Sequence, residues 1–195
     1  STMDDLVRQA MQKWPHVPHC YGWLGLDARG DWYMRDDQTQ AQGGFTEAKG
    51  SRLFHEKLID FIWRNYQSDD VGQWYFQNGP QRVFVELWET PHVWRVQTDF
   101  SVCSMAGVVQ QVMHCAVDER GQVYLLTDQA LGLVHTQDVG LVADARVGLQ
   151  SLSAAASGWK AEAAWTAKAQ NLAAQGQAWI TQVTTHVPAP GVLPY

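Results

Sequence analysis

Three short segments repeat one local instruction. "DARGDWY" (residues 27–33), "DDVGQWY" (69–75) and "DERGQVY" (118–124) each open on Asp and reach Gly at the fourth place. Each then adds a polar residue and ends in an apolar residue followed by Tyr. An Asp at the head of a turn can accept hydrogen bonds from the backbone just ahead of it, and Gly takes the left-handed conformation that ends such a turn. Hydrophobic runs flank the copies, as in "YGWLGL" before the first and "VYLLT" within the third. The pattern predicts three β-hairpins and ties most of the chain to sheet-based architecture. The unequal intervals between copies do not suit a solenoid.

Helices are expected between the hairpins. In residues 3–14, Leu6, Val7, Ala10, Met11 and Trp14 recur at helical spacing, with Thr2 as cap, Asp4 and Asp5 in the first turn and Pro15 as stop. In residues 51–66, Phe54, Leu58, Phe61, Ile62 and Tyr66 form a second stripe, with Ser51 as cap. The polar, glycine-bearing "DDQTQAQGGFTEAKG" between them reads as a loop. "WYFQNGPQRVFVELWE" places the tight-turn dipeptide Asn78-Gly79 between two strands. Further strands are expected near 92–97, 100–105, 107–117, 122–127 and 131–135.

From about Val139 the text turns alanine-rich. Val142, Ala145, Leu149, Leu152 and Ala156 keep one helical face; after Gly158, Trp165, Ala169, Leu172 and Trp179 mark another. A helical hairpin is the simple reading. The fold class is α+β: small hairpin or antiparallel-sheet modules with N-terminal and inter-hairpin helices, then an Ala-rich helical hairpin. The expected parts are a helix/hairpin module over 1–90, an antiparallel β module over 91–138 sharing its core, a helical tail over 139–184 and an irregular end over 185–195.

Composition narrows the function classes. A net charge of −6, with no cluster of Lys and Arg, argues against nucleic acid and anionic membrane as partners. No stretch has the roughly 18–20 apolar residues of a membrane span, and no signal peptide is read at the N-terminus. Cys20, Cys103 and Cys115 show no disulfide spacing, which suits a cytoplasmic location.

"PHVPHCYGWLGL" (15–26) is the densest cluster of potentially reactive groups. An extended, proline-restrained path could bring His16 and His19 to one side, but two imidazoles do not complete a metal site. Cys20 beside His19, and Cys115 beside His114, are strand neighbours that point to opposite faces, so inert thiols are expected. There is no phosphate-binding Gly-rich loop, nucleophile elbow or zinc motif. Asp36–Asp37 and Asp69–Asp70 lie in polar turns as solvated carboxylates. In "HTQD" (135–138), Thr136 or Asp138 is expected to cap the tail helix. No catalytic residue, metal site or cofactor is assigned. What stands out is a density of Trp, Tyr, Arg and His on consecutive strands, the residue types that dominate binding hot spots. Trp74, Tyr75, Arg82, Trp88, His92 and His135 are the candidate ligand-binding residues.

"HVPHCYGWLGLDARGDWYMRD", "FIWRNYQSDDVGQWYFQNGPQRVFVELWETPHVW" and "VDERGQVYLLTDQALGLVHTQD" resemble an uncharacterised family of small bacterial proteins, a domain of unknown function. The resemblance covers about residues 3–140. A second such family, with a helix and a "G-x-Y…P-x-x-K/R-V" hairpin before an acidic–Thr/Ala–Pro turn, is similar more distantly. These resemblances imply an α+β fold of tandem small modules, cytosolic, binding a ligand in signalling, and they bring no catalytic residues. The tail, about 141–184, instead resembles the inter-domain segment of acetolactate-synthase-like thiamine diphosphate enzymes, especially the trione hydrolase of inositol breakdown. Their Gly-Asp-Gly cofactor motif is absent, so no thiamine chemistry is implied.

The expected function is that of a non-enzymatic ligand- or protein-binding module acting through the aromatic and arginine surface. One alternative is an enzyme using His92 or His135 with Glu86 or Asp138 in a cleft between modules. Another is a subunit that docks through its helical tail. The ligand or partner, small molecule or protein, is left open, as is a homodimer.

Overall fold

The structure is a computed structural model that describes residues 3–99, 101–117 and 120–144. The chain divides into two compact units, Ser1–Trp88 and Glu89–Tyr195.

The first unit runs α1 (Asp5–Lys13), β1 (Cys20–Leu26), β2 (Trp32–Met34), α2 (Asp37–Ala41), β3 (Ser51–Arg52), α3 (Glu56–Arg64), β4 (Tyr66–Ser68), β5 (Trp74–Asn78) and β6 (Gln81–Leu87). Its six strands lie in the order β3-β2-β1-β6-β5-β4. Neighbours are antiparallel except the central pair, β1 and β6, which run parallel. A hydrogen-bonded parallel pair needs a long connection between its members, and here everything from β2 to β5 supplies it.

Side chains alternate across the strands. Leu24, Leu26, Trp32, Tyr66, Trp74, Phe76 and Val83 are buried. Trp32 meets Trp63 of α3 edge-on at 4.9 Å and Tyr66 at 5.3 Å, and Phe61 of α3 meets Phe76 at 5.6 Å. Ring pairs in these geometries add to the burial of their area.

Helix α3 begins at Glu56 rather than at residue 51. Ser51 and Arg52 pair with β2 as a short strand, and His55 caps the helix by accepting the Leu58 amide on Nδ1 at 3.2 Å. At the first helix Asp4 is the cap residue, with no side-chain cap bond; its own amide donates to Asn65 Oδ1. The strands flanking Asn78-Gly79 pair at Asn78 and Gln81, so the loop is Gly79–Pro80, with Gly79 at φ +57°. A Gly in the first central position of a two-residue hairpin loop is what a primed turn requires.

The second unit runs β7 (His92–Val96), β8 (Val102–Cys103), β9 (Val109–Gln110), β10 (Val112–Val117), β11 (Val123–Thr127), β12 (Leu131–Val134) and α4 (Thr136–Asp144). Its strand order, β9-β8-β7-β12-β11-β10, repeats that of the first unit, and its central pair β7/β12 is again the parallel one. The units differ in how the third strand reaches the fourth. In the first, residues 53–65 carry α3 between opposite rims of the sheet. In the second, Gln111 alone separates β9 from β10, although these two strands are also opposite rims. One residue spans less than about 4 Å, so the sheet curls enough to bring the end of β9 and the start of β10 together.

The repeated turns fold alike. Asp27 Oδ1 accepts the amides of Arg29 and Asp31, and Asp69 Oδ1 those of Val71 and Gln73. Gly30 and Gly72 follow at φ +82° and +85°. Of the third copy, residues 118 and 119 lie outside the described residues; Gly121 has φ +79°. A further turn of this kind joins β8 to β9. There Ser104 Oγ replaces the carboxylate, accepting the Val108 amide, and Gly107 sits at φ +81°.

The helical tail and irregular end expected beyond residue 144 lie outside the described residues. Helix α4 is capped by His135, whose Nδ1 accepts the Gln137 amide at 3.1 Å, and not by Thr136 or Asp138. Among the described residues no helix is long and apolar enough to cross a membrane.

Candidate functional site

The six residues singled out from the sequence occupy several different places. Trp74 and Tyr75 are neighbours on β5 and therefore point to opposite faces. Trp74 is buried against Tyr66 at 4.9 Å. Tyr75 joins a ladder of side chains across β5, β6 and β1. It pairs across the strands with Phe84, ring to ring at 5.5 Å. Phe84 in turn stacks on Tyr21 at 4.6 Å with the rings 3° from parallel. His19 meets Phe84 edge-on at 5.5 Å.

Arg82 closes the other end of the ladder, its guanidinium 4.4 Å from the Tyr75 ring centre. A guanidinium over an aromatic face is attracted by the ring and keeps its N–H groups free for an anion. Among the described residues no carboxylate pairs with it. Burial pushes the Tyr75 phenol above its ordinary value, with Arg82 pulling the other way, so the hydroxyl stays protonated near neutral pH. Tyr21 and His19 are exposed, Arg82 half-buried. The stretch "PHVPHCYGW" (15–23) thus supplies a rim to the ladder. Burial raises the Cys20 thiol pKa, which keeps it the unreactive thiol.

Trp88 belongs to a second cluster, built where β1 and β6 end. Gly25 on β1 leaves a gap that Phe45 fills: a Cβ at Gly25 would lie 2.5–2.8 Å from three atoms of the Phe45 ring. Trp88 meets Phe45 edge-on at 5.7 Å, and the tilted Tyr33 ring meets it at 5.7 Å as well. The Lys49 ammonium lies 5.1 Å from the Tyr33 ring centre and 4.7 Å from that of Trp88. Asp27 Oδ2 stands 3.9 Å from the same ammonium and accepts the Tyr33 hydroxyl at 3.1 Å. Arg35, fully buried, fixes the loop that carries Phe45 and Lys49. Its guanidinium donates to the carbonyls of Ala48, Gly22 and Gly43 at 3.0, 2.8 and 2.6 Å. Asp27, Phe45 and Lys49 were not singled out from the sequence. The glycine inside strand "YGWLGL" was the one local sign that another group approaches the backbone there.

His92 and His135 lie in the second unit. His92 stacks flat on Trp94, 4.8 Å away and 5° from parallel, and Trp94 Nε1 donates to Leu125 O. The desolvation of His92 holds its pKa down to about 3, so it is neutral at any physiological pH. His135 is buried and spends Nδ1 on the helix cap. Asp138 accepts Arg95 Nε at 2.7 Å, Arg95 Nη2 at 3.2 Å and the Val96 amide at 3.0 Å. Burial works against its charge, but these bonds outweigh it and keep the carboxyl below its ordinary range. Among the described residues no group of three or more His, Cys, Asp or Glu side chains is placed to hold a metal ion.

Two solved structures resemble the fold. One is a DUF1285 family protein from Shewanella baltica, 14% identical, with a TM-score of 0.43, covering 63% of this chain and 91% of that one. The other is a DUF1285 family protein from Silicibacter pomeroyi, 11% identical, with a TM-score of 0.43, covering 73% and 85%. No curated protein matches. A family model of proteins of unknown function matches residues 3–187. That span extends past residue 140 and takes in the alanine-rich tail, so the tail is part of the family's own sequence, and nothing supports its resemblance to thiamine diphosphate enzymes. The chain belongs to the family described as "Protein of unknown function (DUF2946)".

Proposed function

We propose that the chain is a non-enzymatic binding module whose ligand or protein partner presents an anionic group beside an aromatic or apolar one. The observation that carries this reading is Arg82. Its guanidinium lies over the Tyr75 ring, without a carboxylate partner among the described residues, at the end of a ladder whose far rim, Tyr21 and His19, is open to solvent. An Arg pre-positioned by an aromatic contact loses little freedom on binding a carboxylate or phosphate, and the exposed Tyr21 ring adds area at small entropic cost. The same reading places the protein in the cytoplasm, which fits the free thiols of Cys20 and Cys103.

The test is a ¹H–¹⁵N titration of the full chain with N-acetyl-phenylalanine and with a short peptide alternating Glu and Phe. Shifts should centre on Tyr21, Tyr75 and Arg82. Arg82→Ala should weaken binding at least about tenfold with an unchanged melting temperature. Equal binding by Arg82→Ala, or no response to either probe at millimolar concentration, overturns the reading.

A further inference from the structure

The two sheets share one more property. In each, an ion pair between a buried carboxylate and a half-exposed cation lies at the carboxyl end of the central parallel strands. In the second unit it is Asp138 with Arg95, side chains 11% and 37% exposed, closed by two guanidinium bonds and the Val96 amide. In the first it is Asp27 with Lys49, 5% and 41% exposed, and the contact is loose: one N···O distance of 3.9 Å, beyond hydrogen-bond reach. The Lys49 ammonium also lies over two aromatic rings, those of Tyr33 and Trp88.

Asp27 has little acceptor capacity to spare. Oδ1 takes the amides of Arg29 and Asp31, and Oδ2 the Tyr33 hydroxyl. The site therefore offers a cation charge and ring faces, and few hydrogen bonds. That is the demand of a quaternary, fully methylated ammonium, which has charge, apolar surface and no N–H to satisfy.

We propose that Tyr33, Trp88 and Asp27 form a binding cage for an alkylammonium group, methylated in preference to primary, which Lys49 occupies from within the chain. The ligand enters as Lys49 withdraws toward solvent, so Lys49 acts as a competing plug. Phe45, seated on Gly25, forms the floor, and Arg35 holds the loop from which the plug reaches in. This cage is separate from the Arg82 ladder and takes the opposite charge.

The probe is tetramethylammonium chloride, with butylammonium chloride as the primary-amine arm and sodium chloride at equal ionic strength as the control. The readout is the indole N–H resonance of Trp88, assigned by its loss in Trp88→Phe. In the full chain, Lys49→Ala should bind tetramethylammonium at least about tenfold more tightly than the unsubstituted protein, and more tightly than butylammonium. The double variant Lys49→Ala, Trp88→Ala should lose the response. Lys49→Gln repeats the experiment if the alanine variant melts early. Affinity unchanged by removing the Lys49 charge, or binding that survives loss of Trp88, overturns the cage.

Discussion

Trp88 and His135 hold the same place in the two sheets. Each is the first residue past the inner strand, β6 or β12. Each donates its amide, at 2.9 Å, to a carbonyl on the parallel neighbour: Leu26 for Trp88 and Trp94 for His135. The frame is shared, and the side chain at this point is put to different uses. Trp88 walls a cation, whereas His135 starts a helix.

His135→Ala removes the acceptor for the Gln137 amide. Loss of an N-cap costs about 1 kcal/mol, and His135→Asn, which can accept the same bond, should recover part of it. Urea unfolding monitored by circular dichroism measures both.

Trp74→Ala should behave as a core substitution. The indole is buried against Tyr66, so its removal should cost about 3–5 kcal/mol. Arg82→Ala, by contrast, should leave the melting temperature within a degree or two. A Trp74→Ala protein as stable as the unsubstituted one would contradict the placement of that ring.

Acid should act through His92. Its folded pKa is about 3, against about 6.5 in the unfolded chain. Between these values the unfolded chain binds a proton that the folded chain does not, so stability is complete above pH 6.5 and falls as pH drops toward 3. At pH 5 the loss amounts to about 2 kcal/mol relative to pH 7.5. His92→Gln should flatten that part of the profile; an unaltered slope would assign it to other groups.

Arg35→Met leaves the carbonyls of Ala48, Gly22 and Gly43 without their donor in a buried setting. The cost should be about 3 kcal/mol or more, and Arg35→Lys should rescue little, since one ammonium cannot span three acceptors. Differential scanning calorimetry separates the three proteins.

The hairpins at Asp27 and Asp69 were legible because everything that makes them lies within five residues: a carboxylate at the head and a glycine at the foot. The turn at Ser104 passed unnoticed because a hydroxyl does the carboxylate's work there. The parallel pairing of β1 with β6, and of β7 with β12, left no local mark, since it joins segments far apart in sequence. The short strand at Ser51 was hidden inside an apolar stripe that fitted a helix. At the candidate site, residue types pointed to Tyr75 and Arg82, but alternation alone could not say that Trp74 and Tyr75 would both be buried, on opposite faces of β5. Lys49 was invisible for a simpler reason: a lone lysine in a polar loop acquires meaning only from the rings the fold brings to it.

The single residue between β9 and β10 bears on how the protein behaves in a crowded solution. An open rim offers unpaired backbone groups to any passing strand, and flat rims are how sheets recruit copies of themselves. In the second unit the two rims turn toward each other through Gln111, which leaves little straight rim for a foreign strand to copy. The first unit ends instead in two short strands, Ser51–Arg52 on one rim and Tyr66–Ser68 on the other, too short to serve as templates. By opposite means, both sheets are poor seeds for fibrils.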